Sequence, residues 1–348
     1  MSQRTIAALA AVPLVIGLLI TAWRQPLPYA TYQPGLTVDV LGAPNGSEII
    51  QVDGRKTYPD EGELRFTTVI VSLPKAEKNI FELMSRWISR EDAVYPYDAI
   101  HGEEETPEQS QVEGAIDMVT SQDAATAVAL NELGIEVESA IEVVYVDPAE
   151  PADGKLKVGD VFRRVNGKLV KTDKQLVETI RATPAGKAVT FTVLRGGKEV
   201  DVEVVPVEKE GRPQVGVQLG IGFVFPFEVQ VNIDPNIGGP SAGLMFSLAI
   251  YDTLTPGSLG GGKVIAGTGT ISAEGAVGPI GGVQQKIVGA RDDGAELFMV
   301  PPDNCADALG AANGEMQLVK ATTMHAAVEA ITAWTEDPEA DLPSCEAA

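Results

Sequence analysis

Histidine is almost absent, with two in 348 residues. His101 stands beside the acidic run "HGEEE" and His325 lies in "TMHAAVEAI"; neither has other metal-type ligands nearby, so a zinc site lacks its material and no metal is expected. Cysteine is equally scarce. Cys305 and Cys345 fit no metal or redox spacing; in an oxidising compartment they can form one disulfide, and otherwise they are two unrelated thiols. Basic residues are in deficit too. There are 26 against 49 acidic ones, and the net charge of −23 repels phosphate backbones and anionic lipid headgroups, so nucleic acid is not an expected partner. What remains suits folded cores: 44% hydrophobic residues and room for two or three domains.

Residues 5–23, "TIAALAAVPLVIGLLITAW", carry no charge. As a helix they would cover about 28 Å, close to the roughly 30 Å hydrocarbon core of a bilayer. Trp23 and Arg24 sit where an interfacial ring and a snorkelling cation belong, and Pro13 is tolerated more readily in lipid than in water. The stretch 1–24 therefore reads as one transmembrane anchor. The alternative is a cleaved signal peptide, but "LITAW" offers Ile at −3 rather than a small residue. Arg4 and Arg24 flank the run almost evenly, so orientation is weakly coded. The expectation is a single-pass protein of the cell membrane with its acidic bulk extracytoplasmic.

Residues 36–73 alternate as strands, in "GLTVDVLG", "EIIQVDG" and "ELRFTTVIVSL". A helix is expected over about 77–90, with Ile80, Phe81, Met84, Trp87 and Ile88 at helical spacing. "HGEEETPEQSQ" reads as a solvated loop. From about 123 a helix around "AATAVALNELG" leads into "IEVVYV", then strand, helix "DKQLVETIRAT" and a strand pair turned at "RGGK". Through "LKVGDVFRRVNG" at 156–167, the helix from Thr172 to Ala182 and "VTFTVLRGG" at 189–197, this unit resembles a PDZ domain of the bacterial type. The resemblance implies binding of an extended peptide as an added strand, with the carboxylate-binding turn near Leu133, Gly134 and Ile135. The alternative is a domain that only packs on its neighbour.

"DPNIGGPSAG", 234–243, precedes a helix that is apolar nearly all round, 244–254. Ser241 at its mouth would meet unpaired N–H groups and the positive end of the helix, while Gly238 and Gly239 permit close backbone approach. Ser241 alone reads as an N-cap. Lys286, early in a helix that follows the glycine-rich turn of "AVGPIGGVQQK", adds a base of the right kind. A free lysine amine is neutral in only about 0.04% of molecules at pH 7. Burial and a helix start can bring its pKa to about 7 or 8, for roughly 4 kcal/mol, and such an amine can take a serine proton without histidine.

Three stretches then resemble the proteolytic domain of the Lon protease family: "GGPSAG", "TGTISAEGAVGPIGGVQQK" and "ARDDGAELFMVP". The resemblance implies Ser241 as nucleophile, Lys286 as general base and Thr268 as the hydroxyl that positions the lysine, with Gly239, Pro240 and Ala242 supplying backbone at the oxyanion site. It also implies peptide or unfolded-protein substrates and hexameric rings. Two departures stand out: Gly238 occupies the place of an acidic residue, and the family's His-containing strand is "EVQVNID".

The expected architecture is α+β: 1–24 the anchor; 25–122 an α/β region that would form the first part of a discontinuous Lon-type domain; 123–208 a PDZ-like β-sandwich or barrel; 209–340 the Lon-type domain; 341–348 a tail. "GSLGGGKV", 257–264, imitates a phosphate-binding loop, but Val264 replaces its hydroxyl and a strand is expected next, so no cofactor and no ATP dependence are expected. The functional expectation is an ATP-independent serine endopeptidase; the rival is an inert membrane-tethered peptide-binding scaffold.

Overall fold

The strands read at 36–73 find their partners far along the chain. The computed structural model describes residues 2–184, 186–209 and 211–345, with backbone alone for Thr5, Ile6, Ala8 and Asn45. Met1, Ala185, Glu210 and 346–348, which belong to the expected anchor, PDZ unit, protease segment and tail, lie outside the described residues. One sheet runs in the order Gln317–Lys320, Leu297–Val300, Val264–Gly267, Glu63–Val71, Tyr29–Asp39, Ala93–Pro96. The first four strands are parallel, and the last two join by antiparallel pairing. Phe66 pairs with Gly267 at the joint, so segments on either side of the PDZ-like region share one sheet.

Eight helices are described: α1 Gln3–Arg24, α2 Ile80–Ile88, α3 Pro107–Glu132, α4 Asp173–Ala182, α5 Gly243–Leu254, α6 Val283–Asp292, α7 Cys305–Ala308 and α8 Met324–Glu336. The all-round apolar sequence of α5 has the expected consequence. It is buried on most faces among the sheet, α3 and α8, with Phe246 edge-on to Phe66 at 5.4 Å between ring centroids. Each large apolar side chain so buried contributes about 1.5–3 kcal/mol, which makes α5 the pillar on which its N-terminal loop stands.

α3 corrects the loop expected through 101–111 and the later helix start near 124. Thr106 accepts from the Gln109 amide while the Gln109 side chain accepts from the Thr106 amide, a reciprocal cap followed by Pro107 at the first helical position. Capping chemistry thus outweighs the charge run. α2 is shorter than expected, because Asn79 caps it. Its apolar stripe faces outward: Trp87 is 77% exposed and only Leu83 is buried.

The PDZ-like unit is one bent antiparallel sheet in the order Val217–Val224, Glu138–Val146, Val161–Val165, Val189–Arg195, Lys198–Val204. Gly196 and Gly197, both at positive φ, make the two-residue hairpin read from "RGGK". Its core holds Leu176, Phe162 and Phe191. The membrane span expected over 5–23 is not supported. Helix α1 covers the run, but among the described residues no helix is long and apolar enough to cross a membrane; Thr5, Ile6 and Ala8 within it have side chains outside the described residues.

Candidate active site

The loop 238–241 leads into α5, whose N-cap is Ala242 with no side-chain cap, so Ser241 is not the capping residue. Its carbonyl is held by two donors from the strand end opposite, the Gly269 amide at 2.8 Å and Thr268 Oγ1 at 3.0 Å. Lys286 is the fourth residue of α6. That helix starts from Gly282 in the left-handed region at φ +69°, where a Cβ would stand 2.8 Å from Val69 Cγ1, so only glycine fits.

These elements bring Ser241, Thr268 and Lys286 together. Lys286 Nζ donates to Ser241 Oγ at 2.6 Å and to Thr268 Oγ1 at 3.0 Å. The lysine is 2% exposed, and burial pulls its pKa from 10.5 down to about 7. The cause is desolvation rather than the helix start. A cleft of about 260 Å³ opens in front, lined by Leu36, Phe66, Val69, Met118 and Ile237 besides Ser241 and Lys286. Among the described residues, no charged group other than the lysine lines it.

Sequence reasoning missed what braces the loop that carries Ser241. Gly114 and Ser121, two turns apart on α3, present one face to it: the Gly114 carbonyl accepts from the Gly239 amide at 2.8 Å, and Ser121 Oγ donates to the Pro240 carbonyl at 3.1 Å. The seven-residue spacing of small side chains was the available signal. The Gly239 amide, expected to supply backbone at an oxyanion site, is thus engaged by α3, and Pro240 has no N–H to offer. Ala242 is buried at the mouth of α5, next to Ser241. The bracing also explains Gly238: a Cβ there would lie 3.0–3.1 Å from the Gly114 backbone, leaving no space for an acidic side chain.

Leu133, Gly134 and Ile135, expected near a carboxylate-binding turn, are not among the residues lining the groove beside α4. They end α3, with Gly134 at φ +73°, and Leu133 and Ile135 pack on the core around α5. The groove of the PDZ-like unit lies instead between α4 and residues 212–219, with Val177, Ile180, Arg181, Arg212, Val215 and Val217 among its lining residues. It borders the edge strand Val217–Val224. Lys263, of the phosphate-loop imitation, stacks on the Trp334 ring at 4.0 Å, and a strand does follow. His101 lies 2.8 Å from the Ser72 carbonyl and His325 pairs with Glu132 at 2.6 Å, so neither enters the site. Cys305 and Cys345, left open by the sequence, are disulfide-bonded.

Comparison with known proteins finds two family matches. Residues 131–205 match the PDZ domain family, and residues 235–331 match the Lon protease (S16) C-terminal proteolytic domain. A Lon protease of Chloroflexus aggregans is 27% identical over 139 residues, which is 32% of this chain and 17% of that protein. One from Desulforamulus reducens is 40% identical over 72 residues, 20% of this chain and 8% of that protein. The chain thus spans less than a fifth of either relative's length. The PDZ domain of an SdrC-like protein from Listeria innocua is similar at 23% identity and a TM-score of 0.22, covering 23% of this chain and 92% of that domain. The chain is a mixed α/β protein with a PDZ domain and a Lon-type C-terminal proteolytic domain.

Proposed function

We propose that the chain is an ATP-independent serine endopeptidase in which Ser241 is the nucleophile, Lys286 the general base and Thr268 the hydroxyl that orients the amine. The observation that carries this reading is the 2.6 Å contact between a buried, readily neutralised amine and the serine hydroxyl. In the neutral form, Nζ accepts the Ser241 proton as Oγ adds to the scissile carbonyl. The ammonium returns that proton to the departing amine, leaving an acyl-enzyme, and water repeats the cycle with the roles reversed. Backbone at the mouth of α5 favours the transient oxyanion. The uncharged cleft suits apolar or uncharged side chains of an extended peptide or unfolded segment.

The test is turnover of an internally quenched peptide and labelling by a fluorophosphonate, parent against Ser241→Ala. Loss of both is expected. Equal turnover would mean an inert scaffold.

The shared sheet supports reading the proteolytic domain as discontinuous, with the PDZ domain inserted between its halves. A stable, active fragment 209–348 would refute that. The groove beside α4 suits recruitment of peptide partners by strand addition. The disulfide favours an oxidising compartment, hence an extracytoplasmic location. Attachment to a membrane through α1 belongs to the same proposal, supported by the exposed Leu14, Leu18 and Trp23; release of the chain by alkaline carbonate would overturn it. Ring assembly rests on resemblance alone, and mass photometry of the full chain decides it.

A further inference from the structure

Helix α6 carries the lysine, yet it begins at a glycine with no side-chain cap, so something outside the helix must fix where it starts. The loop before it is gripped by one side chain. Asn304, 7% exposed, accepts from the Ile280 amide through Oδ1 at 2.9 Å and donates to the Ile280 carbonyl through Nδ2 at 3.0 Å. One amide thus satisfies both polar groups of a residue two positions before Gly282, whose carbonyl in turn receives the Lys286 amide at 3.0 Å.

The origin of Asn304 gives the grip its meaning. It lies in the 3-10 turn Pro302–Asn304, directly after the strand Leu297–Val300. The Met299 carbonyl of that strand accepts from the Thr268 amide at 3.2 Å. The same strand end therefore anchors Thr268 and, through Asn304, the launch of α6. Gln284 Nε2 donates to the Asp307 carbonyl at 2.9 Å, and Cys305, next to Asn304, is bonded to Cys345, so the turn is itself held on both sides.

We propose that Asn304 is a positioning residue for the proposed protease: its paired hydrogen bonds to Ile280 set the place of Lys286 against Ser241 and Thr268. This rests on the serine–lysine reading above. Without the clamp, two half-buried backbone groups lose their partner, and the loop must move or admit water to satisfy them. Either change loosens the packing that keeps the amine dry. A slip of about 1 Å is enough to spoil a near-attack geometry.

The experiment compares the full-length parent with Asn304→Ala and the isosteric Asn304→Asp, which keeps the acceptor for the Ile280 amide and loses the donor. Two quantities are read: kcat/KM for an internally quenched peptide from pH 5 to 9, and the pH midpoint of Lys286 acetylation by acetic anhydride, followed by mass spectrometry. With the clamp removed, both the acid limb and the acetylation midpoint move up by about one pH unit or more. At pH 7, kcat/KM then falls about fivefold or more, through kcat rather than KM. A midpoint that moves less than this in the folded variants overturns the proposal, whatever happens to Tm. Should Asn304→Ala not fold, Asn304→Asp decides. If Ser241→Ala retains full turnover the serine–lysine reading fails separately, and the acetylation midpoint still judges the clamp because it needs no catalysis.

Discussion

Gly238 and Gly114 meet backbone to backbone, so that a Cβ on Gly238 would stand 3.0 Å from the Gly114 carbonyl carbon, whereas a Cβ on Gly114 would meet Gly238 Cα at an ordinary 3.5 Å. The contact is asymmetric, and so is its prediction. Gly238→Ala must push α3 or the nucleophile loop aside, at about 1–3 kcal/mol by the usual cost of overpacking. Activity should fall at least about tenfold, because the displaced loop carries Ser241. Gly114→Ala should be neutral or stabilising by up to about 1 kcal/mol from helix propensity. Thermal unfolding and peptide turnover of the two variants check this; equal behaviour would remove α3 as the brace.

The lysine sets catalysis against stability. Its pKa lies at 10.5 in the unfolded chain and about 7 in the fold, so between these values the unfolded state binds the extra proton. Stability therefore rises as pH rises through that window, and the full cost, on the order of 5 kcal/mol, applies at and below pH 7. Lys286→Met should raise Tm most at pH 7 and below, with the gain fading toward pH 10.5, while turnover is lost. Lys286→Arg should be inactive as well, since a guanidinium keeps its proton. Parent turnover should climb through pH 7 to a plateau. A parent rate independent of pH between about 5.5 and 8.5 would count against a neutral amine as base.

The meeting of Ser241, Thr268 and Lys286 was legible in the sequence because the motifs that carry them are local. "GGPSAG", "TGT" and "GGVQQK" each name a short stretch whose backbone geometry is set by its own glycines, and the structure brings Ser241, Thr268 and Lys286 within hydrogen-bond reach. Other features were not legible, because each depends on a partner distant in the chain. Gly114 becomes a brace only once α3 packs on α5, and Asn304 a clamp only once the turn after Met299 folds back on Ile280. The groove beside α4 was not legible for a related reason. Gly134 suggested a binding turn, but left-handed glycines end helices as readily as they form loops. The edge strand Val217–Val224 that borders the groove follows the helix and hairpin from which the domain was recognised.

Where the PDZ sheet meets α3, the buried Glu142 stands beside the half-buried Asp123. Burial, and then the neighbouring carboxyl, push Glu142 up to about 9, so it holds a proton in the fold that it has lost in the unfolded chain above its ordinary 4.5. Asp123 is raised as well, chiefly by burial. Stability should fall as pH rises from about 4.5 to 9, the window in which folding takes up that proton. Glu142→Gln keeps the shape and supplies a permanent N–H donor. Its Tm advantage should be absent near pH 4.5 and grow toward pH 9. A Tm difference that stays flat across this range would mean that the pair does not share a proton.

The disulfide joins α7 to a tail that also pairs along the sheet edge, where the Lys320 amide donates to the Pro343 carbonyl at 2.8 Å and Ser344 bridges Val319. Besides these backbone contacts, the covalent link fastens the tail. Closing a loop across a sequence separation of 40 restricts the unfolded chain by about 4 kcal/mol. Cys305→Ser with Cys345→Ser should therefore lower the unfolding free energy, read from denaturant titration, by most of that amount. Because Asn304 precedes Cys305, the loss should reach the site as well, with turnover falling further under reductant in the parent than in the double variant. If the unfolding free energy drops by less than about 1 kcal/mol, the strand contacts of the tail carry the fastening and the bond adds little.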